Sequence, residues 1–336
     1  FDTAGAILGR QEERGPATSW RVQDRAELWL AQDRHGEAIA ALEAGLEAFA
    51  GDVMLRATLG FVRQQAGQGE AALADLALAL REAQSVPLAQ RHAGLLLELE
   101  RPGPARAALD AIETPLLEEA VRSSLAAQRS EAAYLLGDRA GALAEARRVG
   151  TPFFDRLADR LESPAGERRV QLPVPFVRQH HRTCAPATLA AIAQHWGQPA
   201  AHLEIADAIC YDGTPDHAKR RWADEHGWRA REFTVTWAAA RELLERGVPF
   251  ALTTVEAHAA HLQAVVGFDE ARGTLLIRDP TIPVLLEADA GALFEHYRSV
   301  GPRGMAMVPA AEAARLDELT LPDAELHDLV YELQQA

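Results

Sequence analysis

Residues 179–196 read QHHRTCAPATLAAIAQHW, and this stretch decides how the second half of the chain is understood. Gln179 stands five residues ahead of Cys184. From Cys184 an Ala-rich helical pattern begins, with Leu189, Ile192 and Ala193 recurring at the three-and-four spacing of one buried face. A cysteine at a helix start sits where unpaired backbone N–H groups and the helix dipole favour an anion, so its thiolate is stabilised. A glutamine just upstream can offer an amide N–H to an oxyanion forming beside the sulfur. The stretch therefore has the makings of half a thiol-nucleophile site, and a base with its orienting partner has to come from elsewhere.

Following the chain onward supplies them. Residues 170–177, VQLPVPFV, predict an extended entry segment, and helices are expected over 200–210 and 215–226. REFTVTW reads as a strand, AARELLERG as a helix closed by Gly247, and PFALTTV as a buried strand. HLQAVVGFD and TLLIRDP form two apolar runs about a turn at residues 270–273, a hairpin signature. His261 opens the first of these strands and Asp279 ends the second, so pairing about the turn brings both to one end of the ladder. An imidazole beside a carboxylate has its tautomer fixed and its cation supported. Helices followed by an antiparallel sheet predict an α+β domain.

Cys184, His261 and Asp279 in that order, with Gln179 ahead of the cysteine, follow the thiolate–imidazolium logic of papain-like enzymes. Residues 170–309 resemble the C39 family of papain-like cysteine peptidases, best known as leader-removing domains of bacteriocin exporters. The resemblance rests on Gln179 with Cys184-Ala-Pro-Ala-Thr-Leu-Ala, on Gly213-Thr with a helix ending at Gly227, and on His261-Leu-Gln-Ala-Val-Val-Gly-Phe-Asp. Asp279-Pro280 and the closing Leu293-Phe294 and Met305-Ala306 complete it. It implies Cys184 as nucleophile, His261 as base, Asp279 as its orienter and Gln179 as oxyanion donor. Ala185 stands where the family usually has glycine. The Gln-to-Cys spacing of five is one shorter than the family's usual spacing and predicts a tighter loop.

The first half has a different texture. Turns opening the second helix of a pair read HGEAIAAL at 35–42, QGEAALADL at 68–76, PGPARAAL at 102–109 and DRAGALAEA at 138–146. Gly36, Gly69 and Gly103 lie 33 and 34 residues apart, and Arg139 follows 36 residues on. A period of about 34 with paired helices resembles tetratricopeptide (TPR) repeats. Residues 28–31 are expected to pack on 39–42, and 59–61 on 73–76. Stacked pairs of this kind build a superhelix with a concave surface. That surface is either a groove for a protein partner or a structural spacer. SPAGERR at 163–169 reads as a linker.

The predicted organisation is multidomain. Residues 1–20 form a linker or partial repeat, 21–165 an all-α TPR-like array, 166–310 the papain-like C39-like domain, and 311–336 C-terminal helices. Those helices carry a Leu326/Leu329/Leu333 face and end without a stop signal, so a further repeat is expected to begin there. A first residue of Phe1 suggests a processed or excised chain.

Composition bounds the partners. The chain has 336 residues, a net charge of −15, 48% hydrophobic and 25% charged residues. That charge disfavours nucleic acid and anionic membranes as partners, and no apolar run is long enough to span a bilayer. With only Cys184 and Cys210 there is no disulfide framework, which suits a reducing, cytoplasmic setting. His258 and His261 are spaced i, i+3 and His180-His181 adjoin the nucleophile, yet no carboxylate or cysteine completes a ligand set. Neither metal nor cofactor is expected. Cys210 reads as a core residue.

The expected activity is a cysteine peptidase acting on a peptide or protein, with the array recruiting substrate or partner. The alternatives are an inactive peptidase-like adaptor that only binds peptides, and an acyltransferase using the same chemistry.

Overall fold

The structure, a computed structural model, describes residues 2–14, 18–112, 117–198, 200–256 and 259–335. His258 lies outside the described residues. Two compact units divide between Asp155 and Arg156. No described helix is long and apolar enough to cross a membrane.

The first unit is helical: α1 (Asp2–Arg14), α2 (Ser19–Ala31), α3 (His35–Ala48), α4 (Val53–Gln65), α5 (Gly69–Glu82), α6 (Val86–Glu98), α7 (Pro102–Asp110), α8 (Glu119–Leu135) and α9 (Arg139–Val149). Residues 2–14, expected as linker or partial repeat, are thus helical. Four tight turns join α2 to α3, α4 to α5, α6 to α7 and α8 to α9, and each is made the same way. Asp33, Gly67, Glu100 and Gly137 take positive φ. The next residue's N–H then reaches five residues back: Arg34 to Trp29, Gln68 to Arg63, Arg101 to Leu96 (each 2.8 Å) and Asp138 to Ala133 (2.9 Å). This closure satisfies helix-end carbonyls that would otherwise lack donors.

Leu30, Ile39 and Leu42 share one apolar core, as the sequence predicted. The second pairing differs in detail. Leu59 turns into that first core, while Gly60 meets Leu76, whose Cγ would lie 3.0 Å from any added Cβ. The missing side chain is what lets α4 and α5 approach.

The second unit begins within α10 (Pro152–Glu162), ahead of the 163–169 linker. It then runs β1 (Arg169–Gln171), α11 (Cys184–His195), α12 (His202–Ile209), α13 (Asp216–Glu225), β2 (Trp228–Thr234), α14 (Trp237–Glu245), β3 (Phe250–Val255), β4 (Ala260–Asp269), β5 (Thr274–Arg278), β6 (Leu286–Asp289), α15 (Ala290–His296), β7 (Arg303–Pro309), α16 (Ala314–Asp317) and α17 (Ala324–Gln335).

All strand pairs are antiparallel, in the order β2-β7-β3-β4-β5-β6, with β1 also on β4. Helices cover both faces. Leu189, Ile192, Ile205 and Trp222 pack with Ala251, Ala264 and Met307 on one side. Leu243, Leu244, Leu316, Leu319 and Leu321 pack with Phe233, Phe250 and Phe268 on the other. The start of the C-terminal segment is therefore spent in the sheet's own core, whereas Leu326, Leu329 and Leu333 are exposed.

Glutamate gains nothing from a left-handed conformation, which costs an L-residue about 1–2 kcal/mol, partly offset by the greater freedom of glycine when unfolded. Glu100→Gly is expected to stabilise the helical unit by about 0.5–1 kcal/mol in urea unfolding. Asp33→Gly should give less, because aspartate tolerates this region better. A destabilised Glu100→Gly would contradict the turn geometry.

Candidate active site

The site is built where a helix takes the place of a strand. β5 pairs with β4 from Asp269↔Thr274 to Ala264↔Arg278 and goes no further. The next residues are Asp279 and Pro280, and proline lacks the N–H that a ladder needs. Beyond Ala264, β4 continues to Ala260 with β3 as its one strand neighbour among the described residues. The start of α11 lies along the vacated edge. Leu262 spends both main-chain groups there: its carbonyl accepts the Thr188 hydroxyl at 3.1 Å, and its N–H lies within hydrogen-bonding reach of the Cys184 sulfur.

α11 suits this position. Every residue from Ala185 to Ala193 is buried, and small side chains let the helix lie close against the sheet. Pro186 sits in the first turn, where its missing donor costs nothing. Ala185 has ordinary helical backbone and not the positive φ that would call for glycine. The tight loop ahead of Cys184 is achieved by Arg182 at φ 60° and by the His180 N–H donating to Thr183 Oγ1 at 2.8 Å. Arg182 also pairs with Asp212, tying this loop to the one that follows α12.

Cys184, His261 and Asp279 form a continuous chain of contacts. His261 Nε2 lies 2.8 Å from Asp279 Oδ2, which leaves Nδ1 for the sulfur. The other carboxylate oxygen accepts from the Thr281 N–H (2.7 Å) and hydroxyl (2.5 Å). Both oxygens of the buried Asp279 are thus fixed.

The electrostatics follow. Asp279 pushes the His261 pKa up to about 9 through its hydrogen bond, with Cys184 adding to the effect and burial opposing it. Burial pushes the Cys184 thiol up. His261, the Leu262 N–H and the Ala185 N–H together outweigh that, leaving the thiol below its ordinary value. Burial likewise raises Asp279, and His261 with Thr281 overcomes it to hold the carboxyl low. Both shifts run towards a thiolate beside an imidazolium, oriented by a carboxylate.

Gln179 joins the group through its backbone, whose N–H donates to the Pro280 carbonyl at 2.9 Å. Its side-chain Oε1 is buried and has no partner among the described residues. Cys210 caps α12 with its sulfur 3.2 Å from Thr214 Oγ1 and packs on the core. His180 packs edge-on against His202. Among the described residues no three His, Cys, Asp or Glu side chains are grouped as a metal would require. Thr188 and Thr281 were not singled out in the sequence. Thr281 had a signal, since Asp-Pro-Thr is an Asx-type turn in which the carboxylate accepts from two residues on. Thr188 had none, lying inside an alanine-rich run.

Residues 171–299 match the family model described as the Peptidase_C39 like family. Among solved structures, the peptidase domain of Streptococcus ComA, a bi-functional ABC transporter involved in a quorum-sensing pathway, is similar at 19% identity. The match covers 40% of this chain and 97% of that one, with a TM-score of 0.32. A comparison with curated proteins finds no match. By that family model residues 171–299 form a C39-like peptidase domain, and a helical region precedes them in sequence.

The lowered thiol predicts selective chemistry. Iodoacetamide should alkylate Cys184 at lower pH than an ordinary thiol requires. Asp279→Asn removes the largest support of the imidazolium, so the Cys184 profile should move to higher pH. Peptide mapping by mass spectrometry reads both. Equal profiles for the two cysteines would contradict the assignment of charge.

Proposed function

We propose that the chain is a C39-like cysteine peptidase acting on a peptide or protein substrate. The observation that carries this reading is the contact chain from Cys184 through His261 to Asp279. The Cys184 thiolate attacks the scissile carbonyl carbon, forming a C–S bond and a tetrahedral oxyanion. As that oxyanion collapses, the C–N bond breaks and the His261 imidazolium gives its proton to the departing amine, leaving a thioester. Neutral His261 then takes a proton from water, which attacks the thioester and releases the acid and the thiolate. Asp279 keeps the imidazole in the tautomer that faces the sulfur. Gln179 is the oxyanion donor in this scheme, with the amide N–H beginning α11 as its natural companion.

The helical hairpins are read as a TPR-like array that recruits substrate or a protein partner. The recurrence of one turn at Asp33, Gly67, Glu100 and Gly137 supports this. A reducing, cytoplasmic setting would keep Cys184 free.

Incubating the intact chain with a randomised fluorogenic peptide pool tests the reading. Turnover by the wild type and none by Cys184→Ala is the expected result. Gln179→Ala should lower kcat by about 10²–10³-fold, the usual loss for one oxyanion donor. Product hydroxamate on adding hydroxylamine would indicate acyl transfer from the thioester. Peptide binding by both wild type and Cys184→Ala, with turnover by neither, would replace the peptidase with an adaptor.

A further inference from the structure

We propose that Thr188 is a positioning residue for this site: its hydroxyl, donated to the Leu262 carbonyl, sets the spacing between the α11 end that bears Cys184 and the strand that bears His261. The inference rests on the peptidase reading above and names a residue which that reading does not use.

Thr188 lies one helical turn beyond Cys184, so the two side chains share a face of α11. It is 2% exposed, and the Leu262 backbone it meets is also buried. A buried hydroxyl is costly unless bonded. Within a helix, threonine commonly bonds the carbonyl four residues back. Here it reaches across to β4 instead, at 3.1 Å.

The acceptor matters as much as the donor. Leu262 follows His261 directly, and it lies where β5 no longer pairs with β4. Its carbonyl would have been satisfied by a strand, and Thr188 takes that role. The N–H of the same residue is the one within reach of the Cys184 sulfur. Leu262 is thus gripped at two points one helical turn apart, which fixes both the height and the tilt of α11 against the strand. Without the Thr188 contact, the hydrogen bonding of the helix start to Leu262 falls to the thiol, and apolar packing, which sets height and tilt less sharply, has to hold the rest. A shift of about 1 Å in a reacting pair can cost a hundredfold in rate.

The test uses the full chain with Thr188→Val, which keeps the shape and removes the hydroxyl, and Thr188→Ser, which keeps the hydroxyl. Iodoacetamide alkylation of Cys184 is followed across pH, with Cys210 as the internal reference and circular dichroism as the check on folding. The expected result is a Cys184 profile displaced to higher pH in Thr188→Val, with alkylation at neutral pH slowed by up to about tenfold, the fall in thiolate for a shift of about one unit. Thr188→Ser should lie close to wild type. Should the valine variant lose its fold, Thr188→Ala against Thr188→Ser carries the same comparison. An activated wild type with an unchanged Thr188→Val profile, or a serine variant as impaired as the valine one, would overturn the positioning role alone. A wild-type Cys184 no more reactive than Cys210 would overturn the peptidase reading, and the positioning role with it.

Discussion

The second unit depends on one edge of one strand. β4 is longer than β5, and Asp279-Pro280 ends the pairing before the shared ladder is complete. The backbone groups left on β4 require partners, since buried, unpaired main chain is costly. α11 supplies them at Leu262. The same break that strips β4 of its neighbour therefore delivers Asp279 beside His261 and admits a helix start bearing Cys184. Three residues far apart in sequence meet because one proline-containing turn interrupts one hairpin.

Charge placement follows from that geometry. Burial alone would leave Cys184 a neutral thiol and His261 a neutral imidazole. The hydrogen bonds reverse both tendencies. Asp279 can serve because His261 and Thr281, each on one of its oxygens, together hold its carboxyl low against burial. The dependence is serial: Thr281 orients Asp279, Asp279 charges His261, and His261 with the Leu262 N–H holds the thiolate.

Much of this was legible in the sequence. The hairpin turn and the strand lengths were enough to place His261 and Asp279 at one end of a ladder, because the turn sets the antiparallel register to within the one-residue shift between Val265 and Gly267. The helical hairpins were visible through the period of about 34 residues and the small residues that open each second helix, Gly36, Gly69 and Gly103, whereas the turn residues themselves, Glu100 above all, carried no signal. The core-forming role of residues 316–324 was not visible, because apolar spacing marks a buried face without saying what buries it. β6 was missed as well: four residues, three partly buried and the last buried, carry too little alternation to announce a strand. Thr188 was hidden by its context, as its importance lies in a carbonyl 74 residues away. Long-range pairing of this sort leaves no local signature.

A nitrogen-15 NMR titration of His261 tests the central claim most directly, namely that this junction makes Cys184 and His261 a charged pair. With Cys184 intact, the ring should be an imidazolium at neutral pH and lose its proton near pH 9. In Cys184→Ala the titration should move lower, because the thiolate's share of the support is gone. A His261 that titrates near the ordinary value of about 6.5 with Cys184 present would contradict the account.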